Sequence, residues 1–167
     1  SRSMKLRYPS TLDINHCVVA AFSDASWGNK SDGSSQGGYL HALLDPTALQ
    51  GRESPIAVLQ WSSHKVRRVC RSTLSAASQA ASIAVEAGDW VKIVLQEMRN
   101  HDFRMSDYRS ALQQQPGVLI IDTKSVYDFL SKKKRKVTWR QAFGCNVAAS
   151  VAASVVWARD LKHSLTW

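Results

Sequence analysis

The sequence predicts a mixed α/β fold: an antiparallel meander, then parallel strands, with helices on both faces of the sheet. Three observations carry this. Three short apolar segments separated by turn residues occupy positions 17–61, the pattern of a meander. A stretch with apolar residues at three- and four-residue steps follows, over about 73–99, which is helical spacing. Val118-Leu119-Ile120-Ile121 is then a continuous apolar run, as in a central strand buried on both sides. Crossovers between parallel strands are right-handed and lay helices on the faces of a sheet. A chain of 167 residues fits a single domain, here 1–167.

Residues 1–15 form a polar lead-in without the apolar stretch of a secretory signal. Cys17 to Phe22 is the first strand and stops at Ser23-Asp24-Ala25-Ser26. Residues 28–38 hold four of the eight glycines together with Asn29 and Asp32, which is turn chemistry. Gly38 to Leu44 is the second strand, and Ile56 to Trp61 the third. Ser72 or Thr73 can cap the long helix. Its small residues 76, 77, 80, 81, 84 and 87 let it lie close to a sheet. Residues 100–117 read as an exposed connection, and 125–130 as a short helix. Phe143, Val147, Val151 and Val155 recur at four-residue steps and mark a last helix over about 140–155. Val155 to Trp157 can begin a fifth strand. No internal repeat is visible.

Charge is the informative part of the composition. The chain has 22 Lys and Arg against 13 Asp and Glu, a net +9, which favours a polyanionic partner, nucleic acid above all. No apolar run approaches the roughly 18–20 residues of a membrane span, so no membrane partner is expected. Cys17, Cys70 and Cys145 lie far apart and form no CxxC pair. That argues against a zinc site or a disulfide framework and for an intracellular, reducing location.

Asp24 and Asp122 each follow an apolar strand. Ligands of open α/β sheets bind at the carboxyl ends of the strands. If the two strands are parallel neighbours, the carboxylates meet there as hard oxygen ligands suited to Mg²⁺. The plainer alternative is that both residues end strands and cap turns. Two basic clusters stand out: Lys65, Arg67, Arg68 and Arg71 after the third strand, and Lys132, Lys133, Lys134, Arg135 and Lys136 after the short helix. Such runs neutralise phosphates without reading bases. The second also matches a viral nuclear import signal. Trp61, Trp90 and Trp157 fall in core patterns. Trp27 and Trp139 can stack on a base, although core packing is the plainer reading of Trp27.

Several segments, in order, resemble the ribonuclease H domain of copia-type LTR retrotransposons. Phe22-Ser23-Asp24-Ala25-Ser26-Trp27-Gly28 is similar to its opening, and Gly37-Gly38-Tyr39 to its second strand. Gln60-Trp61-Ser62-Ser63-His64-Lys65 resembles the family's WSSKK, and Arg71-Ser72-Thr73-Leu74-Ser75-Ala76 its RSTLAAE. Ile121-Asp122-Thr123-Lys124-Ser125-Val126-Tyr127-Asp128 resembles DAKSLYD. The resemblance covers roughly residues 17–130, and residues 161–167 faintly echo LADALTK. It implies a ribonuclease-H-like mixed sheet of five strands.

The family's metal site uses four carboxylates. Asp24 and Asp122 match the first and third; the helix Glu falls on Ala77, and the last Asp on His163. Asp160 replaces that Asp only with a shifted C-terminal register. Glu86 lies nine residues beyond Ala77, on the opposite helix face and about 13 Å further along. A two-ion site needs several carboxylates. The leading expectation is therefore a degenerate ribonuclease-H-like domain with no cofactor, binding RNA or an RNA/DNA hybrid. It would be domesticated from a retroelement and serve in a ribonucleoprotein beside other proteins, in the nucleus or an organelle such as the mitochondrion. The alternatives are an active Mg²⁺-dependent ribonuclease H of a retrotransposon polyprotein, built on Asp24, Asp122 and Asp160, and a protein–protein scaffold without nucleic acid.

Overall fold

The computed structural model describes residues 8–131, 153–157 and 165–166. Strands β1 (Val18–Ser26), β2 (Gln36–Leu44) and β3 (Ser54–Lys65) form the meander. Helix α1 (Thr73–Arg99) follows, then α2 (Tyr108–Gln114), β4 (Gly117–Ile121) and α3 (Lys124–Ser131). Ala153–Trp157 is β5 and Leu165–Thr166 is β6. The sheet order is β5-β4-β1-β2-β3-β6. The meander pairs are antiparallel, and β4 runs parallel to both β1 and β5. Among the described residues the sheet has six strands, not the expected five, because β6 adds a two-residue pairing to Ser54 and Pro55.

Helix α1 begins where expected: the Ser72 side chain accepts a hydrogen bond from the Ser75 amide, supplying one orphan amide with an acceptor. Its inner face, with Ala76, Ala80, Ala81, Ala84 and Gly88 buried, lies on β1, β2 and β4. Ala81, Ala84 and Val85 pack with Ala21, Leu119, Ile121 and Val126 of α3. So α1 and α3 share one face. On the other, Val18, Ala20, Ala42, Ile56, Val118 and Ile120 surround Ala48, which belongs to the 3-10 helix Pro46–Gln50. Helices were expected on both faces; among the described residues this 3-10 helix alone covers the second. The expected helix over 140–155 lies outside the described residues except at its end, where Ala153–Trp157 is strand.

Contact between α1 and the sheet is set at His41. Its ring is buried, donates from Nε2 to the Ala84 carbonyl at 2.8 Å, and accepts at Nδ1 from the Gln60 amide at 3.0 Å. A carbonyl acceptor at Nε2 requires the proton there, so the ring is neutral with both nitrogens used. Gly88 leaves room for it.

Gln60 reaches His41 because β3 carries a bulge opposite His41 and Ala42, where His41 pairs with Gln60 but Ala42 with Val58. Side chains alternate along a strand, and one extra residue reverses the alternation. Ala57 lies in the cluster under α1. Without the bulge Trp61 would join it; with the bulge Trp61 turns to the opposite face and is 64% exposed. The expected core placement of Trp61 is therefore wrong. Trp90 is also exposed, because it sits about 200° around α1 from Gly88. Leu74 and Met98, near the two ends of the 27-residue α1, are exposed.

Two more expectations change. The segment 100–117 is not a plain exposed connection: α2 buries Ala111 and Leu112. Buried Gln115 donates to the Cys17 carbonyl at 3.0 Å. The lead-in is not wholly polar in use, since Leu12 and Ile14 pack on Cys17 and Val19. Arg99 donates to the Ile14 carbonyl and to Gln115 Oε1, tying lead-in, helix and β4 together. Cys17 and Cys70 are free thiols, and burial raises the Cys17 pKa against the influence of Arg99.

Two predictions follow from His41. A Cβ on Gly88 would stand 3.1 Å from His41 Nε2. Gly88→Ala gains about 1 kcal/mol of helix propensity, but displacing a ring held at both nitrogens costs roughly 1–3 kcal/mol. Urea unfolding is expected to show net destabilisation. Burial, with Lys92 adding to it, lowers the His41 pKa, while the Ala84 carbonyl opposes the shift. The unfolded chain then binds the proton more tightly than the native one. The stabilising contribution is complete above the unfolded value, about 6.5, and is lost as pH falls through the lower native value. His41→Gln removes that part of the pH dependence, which denaturation midpoints across pH 4–7 would show.

Candidate nucleic-acid interface

Strand β1 runs through Asp24 to Ser26, three residues beyond the expected stop at Ser23, and Asp24 pairs with Gly38. The chain turns only at Gly28, in the left-handed region at φ 59°, where glycine is favoured. Asp122 follows the last residue of β4 and precedes α3. The β1–β4 register ends with Ser23 beside Ile121, so Asp24 and Asp122 are the next residues along the two parallel segments. Both are exposed. Asp24 Oδ1 accepts from the Ala25 amide at 2.7 Å, and Asp122 Oδ1 from the Thr123 hydroxyl at 3.2 Å.

By alternation Asp24 shares the face of Phe22, opposite α1, while Ser23 lies beneath the helix. Ala77 points into the cluster between α1 and the sheet, beside residues such as Tyr39 and Ile121. The helix position that the resemblance assigns to Glu thus presents a methyl group. Ser23 Oγ is buried there without a hydrogen-bond partner among the described residues. Glu86 is exposed and lines a different cleft. Among the described residues no three His, Cys, Asp or Glu side chains gather to hold a metal. Two carboxylates do not fit a two-ion centre, and no chemical step is assigned to one. Asp160 and His163 lie outside the described residues, as do Lys132, Lys133, Lys134, Arg135 and Lys136.

The first basic cluster sits at the same end of the sheet as the carboxylates. Lys65 ends β3 and pairs with Asp32 at 2.6 Å. Lys65, and then Ser34, hold the Asp32 carboxyl well below the usual carboxylate range. Arg67, Arg68 and Arg71 are exposed. Arg67 and Arg68 border a cleft of about 410 Å³ with His64, Gln79 and Glu86. This end is held together by the Trp27 indole, which donates to the Cys70 carbonyl at 2.9 Å, and by the Gly28 amide, which donates to Ser35 Oγ at 3.1 Å. Trp27 is 50% exposed, so the core reading of it gives way to a tether between the 27–35 loop and the start of α1. The sequence holds no signal for the environment of His64. Its polar neighbours in Gln60-Trp61-Ser62-Ser63-His64-Lys65 give no sign that its Nε2 is buried without a partner among the described residues.

No family model and no curated protein sequence matches the chain. Among solved structures it is similar to a foamy viral protease-reverse transcriptase in complex with an RNA/DNA hybrid, with 10% identity and a TM-score of 0.49. The match covers 94% of this chain and 19% of that one. Among the described residues no helix is long and apolar enough to cross a membrane.

The carboxylate pair makes a prediction about stability. Two like charges side by side and exposed contribute nothing favourable to one another. Asp24→Asn is therefore expected to leave stability within roughly 0.5 kcal/mol of the parent, or to raise it. Equilibrium urea unfolding at low ionic strength would check this.

Proposed function

We propose that the chain is a nucleic-acid-binding, ribonuclease-H-like domain whose two-ion chemistry is degenerate. We further propose that it derives from a retroelement and acts as an RNA-binding subunit of a ribonucleoprotein. The observation that carries the reading is that Asp24 and Asp122 lie next to one another at the carboxyl ends of adjacent parallel strands, while the resemblance assigns the family's helix Glu to Ala77. The meander-then-parallel strand order and the ordered motif resemblance support it. The net +9 and the cations Lys65, Arg67, Arg68 and Arg71 at that end of the sheet support a polyanionic partner, because clustered cations gain affinity by releasing phosphate counterions. The alternative, an active Mg²⁺-dependent ribonuclease H using Asp24, Asp122 and Asp160, draws on the same pair.

Purified protein is expected to bind RNA or an RNA/DNA hybrid without cutting it in Mg²⁺ or Mn²⁺. Cleavage abolished by Asp24→Asn would establish the alternative. Replacing Arg67 and Arg68 by Ala should weaken binding about equally across unrelated sequences. It should also flatten the slope of log affinity against log salt, by about 0.7–0.9 for each phosphate left without its cation. Replacement of Lys132 to Lys136 should do the same, and unchanged slopes in both variants would remove the clusters from the interface.

A further inference from the structure

Trp61 occupies an unusual place for a large aromatic. It lies within the twelve-residue strand β3, yet 64% of it is exposed. The bulge turns it onto the face that carries Asp24. On that face Trp61 is level with Leu40 and Phe22 in one cross-strand row, and Ser63, Gly38 and Asp24 form the next. Gly38 leaves the second row open: a Cβ there would meet only the Ser62 carbonyl oxygen, at 3.4 Å. The span from Ser63 to Asp24 is two strand spacings, about 10 Å. Leu59, in the bulge, is also exposed. The result is a shallow shelf with a glycine floor, an indole at one side and the carboxylate pair at the other.

Cations follow at the end of β3. Lys65 lies two residues beyond Ser63 on the same face and pairs with Asp32, and Arg67 and Arg68 come next, exposed, beside α1. Lys30 is exposed in the loop that joins β1 to β2. The two other tryptophans that are exposed among the described residues are placed differently. Trp27 is tethered through its indole N–H to Cys70, and Trp90 lies on the side of α1 turned away from the sheet.

We propose that Trp61 is a stacking platform for an unpaired base of single-stranded RNA, whose phosphates track the cations at the end of β3. The proposal rests on the nucleic-acid reading above and adds the form of the ligand and the residue that holds a base. A flat, exposed π-surface beside a basic track is the arrangement by which proteins bind single strands with little sequence preference. A paired base in a duplex shows only its edges and offers no free face for the indole. The carboxylates repel phosphates, which leaves the backbone to the Lys65 side and the base to the shelf.

The test compares the parent protein with Trp61→Ala and Trp61→Phe by fluorescence anisotropy. The probes are labelled oligouridylate and an abasic ribose-phosphate oligomer of the same length. Trp61→Ala is expected to weaken oligouridylate binding by about tenfold, at the low end of what one stacked base contributes. Trp61→Phe should retain most of the affinity, and neither variant should change binding of the abasic oligomer. Oligouridylate bound equally by parent and Trp61→Ala would overturn the stacking role and leave the nucleic-acid reading standing. Equal loss for the abasic oligomer would also overturn it, since the defect would then be structural or electrostatic. Failure of the parent to bind either oligomer would overturn the stacking role, and failure to bind an RNA/DNA hybrid as well would overturn the nucleic-acid reading with it.

Discussion

The close approach of α1 to the sheet is the constraint on which the rest of the structure depends. It requires small residues along the inner face of the helix, and Ala76, Ala80, Ala81, Ala84 and Gly88 supply them. At that distance a polar ring on the sheet can bond a helix carbonyl directly, and His41 does so through Ala84. A buried imidazole with an unmet nitrogen is costly, so the second nitrogen needs a donor. Gln60 provides it, and the bulge in β3 is what brings Gln60 to the helix-facing side.

The same bulge has a consequence on the opposite face. One added residue reverses the alternation of β3, so Trp61, Ser63 and Lys65 are presented on the face of Asp24 rather than under α1. Packing on one side of the sheet therefore selects the surface on the other. Burial of His41 and exposure of Trp61 are two results of a single register shift.

Electrostatically, the carboxyl end of the sheet is mixed. Asp24 and Asp122 bring negative charge to the ends of β1 and β4, and cations follow the end of β3. With two adjacent metal ions such a pair would need further oxygen ligands to offset the repulsion between the ions. The cations after β3 form a basic rim. Asp32 moderates that rim by pairing with Lys65, whereas Arg67 and Arg68 remain exposed.

Much of this was legible in the sequence, because local patterns encode local structure. Alternating and continuous apolar runs marked β1 to β4. Helical spacing and Ser72 placed α1 over 73–99, and the strand–helix order together with the motif resemblance led to the expectation of a mixed sheet in which Asp24 and Asp122 would come together if their strands were parallel neighbours. The motif resemblance assigns the family's helix Glu to Ala77. The tertiary structure decided what depends on partners distant in the chain. A bulge is chosen by the hydrogen-bonding needs of His41, nineteen residues away from Gln60, so composition near Trp61 could not reveal which way it points. Ala111, Leu112 and Gln115 lie in a polar stretch and are buried only because α1 and the lead-in pack there. The placement of Asp24 beside Asp122 is a matter of register between β1 and β4, and register is set by the side chains that two strands share with the helix above them.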